Sequence, residues 1–412
     1  MLTELARNVR KYRRAAGMSQ EDLAAACGLS VRTVQKIESG GAARTETLHA
    51  FARGLGIPTS VLFVSGTPAP VTGDESTRRS LVPIRMTLMP PVGLDGLVTR
   101  AEAADVSVSD IRRKAGEALS LYRADKYDAV ALLLPDLLAQ SEAVMRNAGH
   151  DEELKRAAVA RSLALLVSGK YLTQMRQYDL AYHSLAEGIR LAREADDRQT
   201  AGTGIVGMCW LLLRQDRFGE CYRLAVDTAA RLEPRITDHD TGRIALWGEL
   251  WMRAAAASIR DNRPEDAKDA RRMAGRAAGG MRQEDSSFPE HWGHFGPVTV
   301  AMKEIEDLNI RGDARSVLHR ADDGVLSPKS LKKLGKPPTD WERHRLDVAG
   351  AHAALGSHQD AMDVLTQVRA ARKEWIKHQP MARRIMGDVL RSRKRTLTRD
   401  MREMASYLNV SE

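Results

Sequence analysis

Ser19-Gln20-Glu21-Asp22-Leu23-Ala24, then Gly28-Leu29-Ser30, then Val31-Arg32-Thr33-Val34-Gln35-Lys36-Ile37-Glu38-Ser39-Gly40, read as two short helices joined by a tight turn. Ser19 stands three residues before an acid, Asp22, the spacing at which a hydroxyl and a carboxylate satisfy the orphan amides of a helix start. Leu23, Ala24 and Cys27 supply the inner face of that helix. Gly28 permits the sharp turn, and Ser30 is a second N-cap. In the helix that Ser30 opens, Val34 and Ile37 face inward.

That inward set leaves Ser30, Val31, Arg32, Thr33, Gln35 and Lys36 on the exposed N-terminal part of the second helix. Such a surface can read a major groove. Arg makes bidentate contacts to guanine, Lys contacts guanine or phosphate, and Val31 can pack on a thymine methyl. The positive helix starts at Ser19 and Ser30 favour phosphate. Working outward, residues 2–15 put Leu5, Val9 and Tyr12 on one helical face, with Arg7, Arg10, Lys11 and Arg14 largely on the others. A further amphipathic helix, Thr45 to Leu55 with Leu48, Phe51 and Leu55, and a short turn over 58–63 complete a small core.

From Ser19 through Leu55-Gly56-Ile57 this run resembles the XRE (Cro/C1) family of helix-turn-helix regulators almost from end to end. The resemblance implies a lambda-repressor-like DNA-binding domain over residues 1–64. In it Gln20 and Arg44 would hold phosphates, Val31, Arg32 and Lys36 would face bases, and Arg13 would pair internally with Glu38. Val31 departs from the polar residue that many relatives carry there.

The charge distribution agrees with an anionic partner. Residues 1–64 hold nine Lys/Arg against five Asp/Glu, residues 369–412 hold twelve against five, and the chain between is close to neutral. For the C-terminal charge a solvated helix face is the plainer account. The N-terminus has no apolar leader and no stretch is apolar enough to span a bilayer, so a cytoplasmic, nucleoid-associated protein without membrane contact is expected. Cys27, Cys209 and Cys221 fit neither a disulfide framework nor a metal motif, and packed thiols are expected.

Residues 65–106 are rich in Gly, Pro, Ser and Thr and read as a linker, within which residues 81–91 are too apolar for free coil and suggest an extended, strand-like tether. From 107 to 412 nearly everything is amphipathic helix. Small residues follow the breaks at Val130, Ala181, Cys221, Ala267, Ala314 and Ala361, which indicates about six helical hairpins. A hairpin cannot bury its apolar stripe alone, so such units stack. The pattern resembles tetratricopeptide repeats, with a longer period, and the expected fold is all-α: the DNA-binding head followed by a tetratricopeptide-like α-solenoid. A last helix, roughly 381–408, sets Ile385, Val389, Met401 and Met404 among Arg383, Arg384, Arg391, Arg393, Lys394 and Arg395. It caps the final apolar face or adds DNA contacts.

Gly202-Thr203-Gly204-Ile205-Val206-Gly207 matches G-x-G-x-x-G but lacks a strand before it, so close helix packing is expected. His291 and His294 have no third ligand nearby, and no catalytic signature is present, so neither metal, cofactor nor enzyme activity is expected. Thr203, Gly207, Trp210 and Arg214 share one helical stripe, and Arg243, Trp247 and Trp251 share another in the next hairpin. Thr203, Trp210, Arg214, Arg243 and Trp247 are the candidate ligand residues, suited to a peptide on a concave face. In layout the chain resembles Rgg/PlcR-type peptide-sensing regulators, which implies a homodimer that senses a signalling peptide or small ligand. The alternative is a scaffold whose repeats dock a partner protein and whose head localises it to DNA.

Overall fold

The helix starts and stops of the N-terminal segment follow from single residues. The computed structural model describes residues 4–57, 62, 81–94, 96–97, 106–235, 240–281, 295–335, 338, 340–392 and 397–410. The head comprises α1 (Glu4–Ala15), α2 (Gln20–Cys27), α3 (Val31–Glu38) and α4 (Thr45–Gly54). Ser19 Oγ accepts from the Asp22 N–H at 3.0 Å, and Asp22 Oδ2 accepts from the Ser19 N–H at 2.9 Å. Gly28 ends α2 at φ +64, a conformation that costs a side-chain-bearing residue about 1–2 kcal/mol. Ser30 Oγ accepts from the Thr33 N–H at 3.2 Å and opens α3. Val9, Leu23, Ala24, Cys27, Val34, Ile37 and Phe51 form one buried cluster, which Leu62 joins. The rest of the expected 58–63 turn lies outside the described residues.

The tether is a helix and not an extended strand. In α5 (Val82–Leu88) the buried residues are Leu81, Ile84 and Leu88, spaced by three and four as on a helix face. Arg85 anchors it by donating to Gln177 Oε1 at 2.5 Å. A minimal hairpin follows, β1 (Val92–Gly93) paired antiparallel with β2 (Gly96–Leu97). The expected linker residues 65–80 and 98–105 lie outside the described residues.

Six helical hairpins make the body: α6 (Val108–Arg123) with α7 (Tyr127–Arg146), α8 (Asp151–Gln174) with α9 (Tyr178–Glu194), α10 (Arg198–Arg214) with α11 (Phe218–Arg231), α12 (Thr241–Arg260) with α13 (Pro264–Gly280), and α14 (Pro297–Arg311) with α15 (Ala314–Arg320). After α16 (Pro328–Leu334) comes the sixth, α17 (Trp341–Ala354) with α18 (His358–Ala371). The hairpins share one turn. Asp125, Arg176, Asp216, Asn262, Gly312 and Gly356 all adopt positive φ, and five residues beyond each stands a buried side chain: Val130, Ala181, Cys221, Ala267, Val317 and Ala361. In the fifth hairpin this corrects the repeat register. Gly312 sets the turn, so the equivalent position is Val317 and not Ala314.

The array bends round until its ends meet. Arg372, just past α18, donates to Asp125 Oδ1 at 2.5 Å and to the Arg123 carbonyl at 3.2 Å, both on the first hairpin. His378 packs edge-on against Tyr127 with ring centroids 5.4 Å apart. The expected single last helix is broken after α19 (Lys373–Lys377), into α20 (Pro380–Ser392) and α21 (Arg399–Tyr407). Ile385, Val389, Met401 and Met404 are buried against Ala349, Leu365 and Val368 of the last hairpin, so this segment covers the array's final apolar face. Arg384 and Arg391 are exposed, and residues 393–395 lie outside the described residues. Among the described residues no helix is long and apolar enough to cross a membrane.

Candidate nucleic-acid interface

The recognition surface is held from behind by one buried carboxylate. Glu38, at the end of α3, is 1% exposed. Arg13 donates to both its oxygens, at 2.7 and 3.0 Å, Gln20 Nε2 donates at 2.7 Å, and Arg10 donates to its carbonyl at 3.0 Å. Burial alone would raise the Glu38 pKa, but the hydrogen bonds from Arg13 and Gln20 outweigh it and hold the carboxyl below its ordinary range. The Arg13–Glu38 pair is therefore present as the resemblance implied. The Gln20 side chain, for which that resemblance implied a phosphate, is turned inward onto Glu38.

With α3 so fixed, Arg32, Gln35 and Lys36 are exposed, while Val31 and Thr33 are half-buried. The Thr33 hydroxyl lies 2.8 Å from Ser30 Oγ, and Val31 packs on the edge of the head core. Gly41 brings the following loop against Lys36, where a Cβ would stand 2.7 Å from the Lys36 carbonyl oxygen. Two long donors and an amide thus project from the first two turns of a helix whose back is buried, the geometry by which such a helix enters a major groove.

Residues 9–62 match the family model described as helix-turn-helix. The match spans the head, from within α1 to Leu62, and so includes every candidate DNA contact. The head is a DNA-binding helix-turn-helix domain on a helical-repeat-like body. No curated protein matches the chain.

The head rests on three successive turns of the body. His49 of α4 lies edge-on to Phe218, ring centroids 4.2 Å apart, Arg53 lies 3.8 Å from Asp261, and Asn262 Nδ2 donates to the Cys27 carbonyl at 3.2 Å. Arg44 reaches the third turn: a Cβ on Gly312 would lie 2.8 Å from its Nη1. Arg44, like Gln20 implied to hold a phosphate, is exposed and sits at this seam. All these contacts fall on α2, α4 and the residue before α4, and the exposed face of α3 takes no part in them.

The candidate ligand residues are spread over two environments. Trp210 and Arg214 stack, guanidinium carbon 5.4 Å from the ring centroid, and Arg214 lies in the interior beside Tyr122 and Tyr178. Thr203 and Trp247 are buried, Trp247 in an apolar cluster with Val206, Leu246 and Phe295, its ring 6.2 Å from that of Trp251. Arg243 is exposed near the start of α12. What the sequence did not single out is a run of charged side chains from the first helices of the hairpins, Arg123, Lys170, Glu249, Arg253, Lys303 and Arg343, which face one another across the interior. At the seam between first and last hairpins lies a cavity of about 920 Å³, lined by Arg123, Asp125, Glu342 and Arg372 among others.

The glycine motif is a packing device. A Cβ at Gly202 would stand 2.8 Å from Leu246, and one at Gly204 would stand 2.6 Å from Ile189. All three cysteines are buried free thiols, and burial pushes that of Cys27 up to about 11. Among the described residues no group of His, Cys, Asp and Glu could hold a metal ion. His291 and His294 lie outside the described residues.

Proposed function

We propose that the protein is a transcriptional regulator that binds an operator as a homodimer, and that its tetratricopeptide-like body senses a peptide or small ligand and acts by binding, without catalysis. The observation that carries this reading is where the head sits. Its contacts fall on the turns that follow α10 and α12, and the inner ends of those same two helices carry Trp210, Arg214, Glu249 and Arg253. A ligand that shifts either helix by a fraction of an ångström moves a turn on which the head rests. It alters DNA binding only as far as it prefers one placement of the heads, which typically amounts to about 1–3 kcal/mol.

A genome-wide map of bound sites gives the operator. Operator affinity is then measured with and without fractionated cell extract or a peptide library, for wild type and for Arg214→Ala combined with Trp247→Ala. A fraction should shift wild-type affinity by 5–150-fold, roughly the range of such couplings, and the double variant should not respond. Unaltered affinity across all fractions, alongside capture of a stable partner protein, would favour the scaffold reading.

A further inference from the structure

The interior of the body holds nitrogen donors that the fold leaves without acceptors. Lys170 and Gln174 lie one turn apart on α8, Arg253 projects from α12, and Arg214 ends α10. These are the first helices of three successive hairpins, so the four side chains line one stretch of the inner surface. Lys170 and Gln174 are each only 7% exposed. Gln174 Nε2 and Arg253 Nε are buried without a hydrogen-bond partner among the described residues. No carboxylate pairs with Arg214 or Arg253 among the described residues.

Farther along the lumen the charges are matched. Lys303 lies 3.0 Å from both Glu306 and Asp340, and Arg343 lies 2.9 Å from Asp347. The cluster around Lys170 is not. It receives Tyr122 and Arg123 from α6, the latter cationic, Glu249 and Arg253 from α12, and Asp340. Burial, together with the charges of Arg123 and Arg253, pushes the Lys170 ammonium down to about 7. An unsatisfied buried donor costs about 1–3 kcal/mol. Two such nitrogens beside unneutralised guanidinium groups are a cost that an acceptor-rich ligand would remove.

We infer that this stretch of the lumen is an anion receptor, in which Lys170, Gln174, Arg214 and Arg253 together hold a carboxylate or phosphate group of a small ligand. The inference deepens the ligand-sensing reading and rests on it for any effect on DNA. Arg214, stacked on Trp210, makes that indole the reporter of occupancy.

The test uses the full chain, titrated at constant ionic strength in chloride with inorganic phosphate, with succinate, and with a tetrapeptide as free acid and as C-terminal amide. Tryptophan fluorescence and Tm are followed. Saturable binding of at least one anion is expected, at least tenfold weaker in Arg214→Gln and Arg253→Gln and unchanged in the surface control Arg391→Gln. Binding of the free acid but not the amide identifies a peptide terminus, and binding of phosphate or succinate identifies a free anion. No saturable response to any probe, or equal affinity in both variants, overturns the receptor. Should those variants lose helical circular dichroism, the wild-type pH series decides: affinity must fall between pH 6 and pH 8 as Lys170 loses its proton, and a flat profile overturns the receptor. Operator affinity in the same buffers separates the two readings. Anion binding without effect on DNA removes ligand sensing alone, whereas ligand-dependent DNA affinity that survives in Arg253→Gln removes the receptor alone.

Discussion

Arg32 and Arg13 stand on opposite sides of the same short helix pair and do unrelated work. Arg32 is exposed on α3 and has no role in the head core, so Arg32→Ala should leave thermal stability unchanged while costing about 1–3 kcal/mol of specific operator binding. Lys36→Ala should behave alike. A gel-shift titration on the mapped operator decides it, and unchanged affinity in a folded Arg32→Ala protein removes the assignment. Arg13 is different, because its loss strands Glu38, whose side chain is 2% exposed. Breaking a buried pair from one side costs about 3–5 kcal/mol. Arg13→Ala should therefore lower the urea midpoint of a fragment containing residues 1–70 by that order, followed by circular dichroism. Because Glu38 titrates below its ordinary value in the fold, its contribution is present above about pH 4.5 and lost as pH falls through the folded value. The wild-type advantage over the variant should shrink on acidification.

At the scale of elements, the contact between α4 and the body contains a titratable group. Burial, with Arg53 beside it, pushes His49 down from 6.5 to about 4. A lowered histidine pKa means that unfolded or undocked protein takes up the proton first, so the packed state loses stability as pH falls from about 6.5 to 4 and is indifferent above that window. Each pKa unit is worth about 1.4 kcal/mol, which puts the loss by pH 4 on the order of 3 kcal/mol. Hydrogen exchange of the α4 amides should quicken over that window in wild type, and much less in His49→Gln. Equal pH dependence in both would show that the ring against Phe218 is not what holds the head. The caps that bound α2 and α3 were readable in the sequence because Ser19, Asp22, Gly28 and Ser30 act within one turn of themselves. The tether was not, since Leu81, Ile84 and Leu88 alternate with the apolar and exposed Val82, Met86 and Met89, so no polar face marks the helical period. The fifth hairpin was misregistered because Ala314 and Val317 are both buried and small or branched, and only the left-handed turn at Gly312 tells them apart.

At the scale of the molecule, Arg123, Lys170 and Arg253 look in the sequence like solvated helix charges. They meet only because the array closes through Arg372 and Asp125, residues 247 apart, which no local pattern encodes. The same wrapping leaves one head seated on the outer turns with a single recognition helix, and one such helix reads only a half-site. A two-fold symmetric pair on an inverted repeat is therefore expected, with half-site centres about 34 Å apart or a multiple of it. Light scattering should give a dimer at working concentration and footprinting a paired protection. A fragment of residues 1–70, which keeps the head's own buried cluster, should protect the same bases at higher concentration, because two linked heads convert the second contact into an intramolecular one. A monomeric full chain that protects one unrepeated half-site as tightly as the fragment does would mean that the body adds no second head.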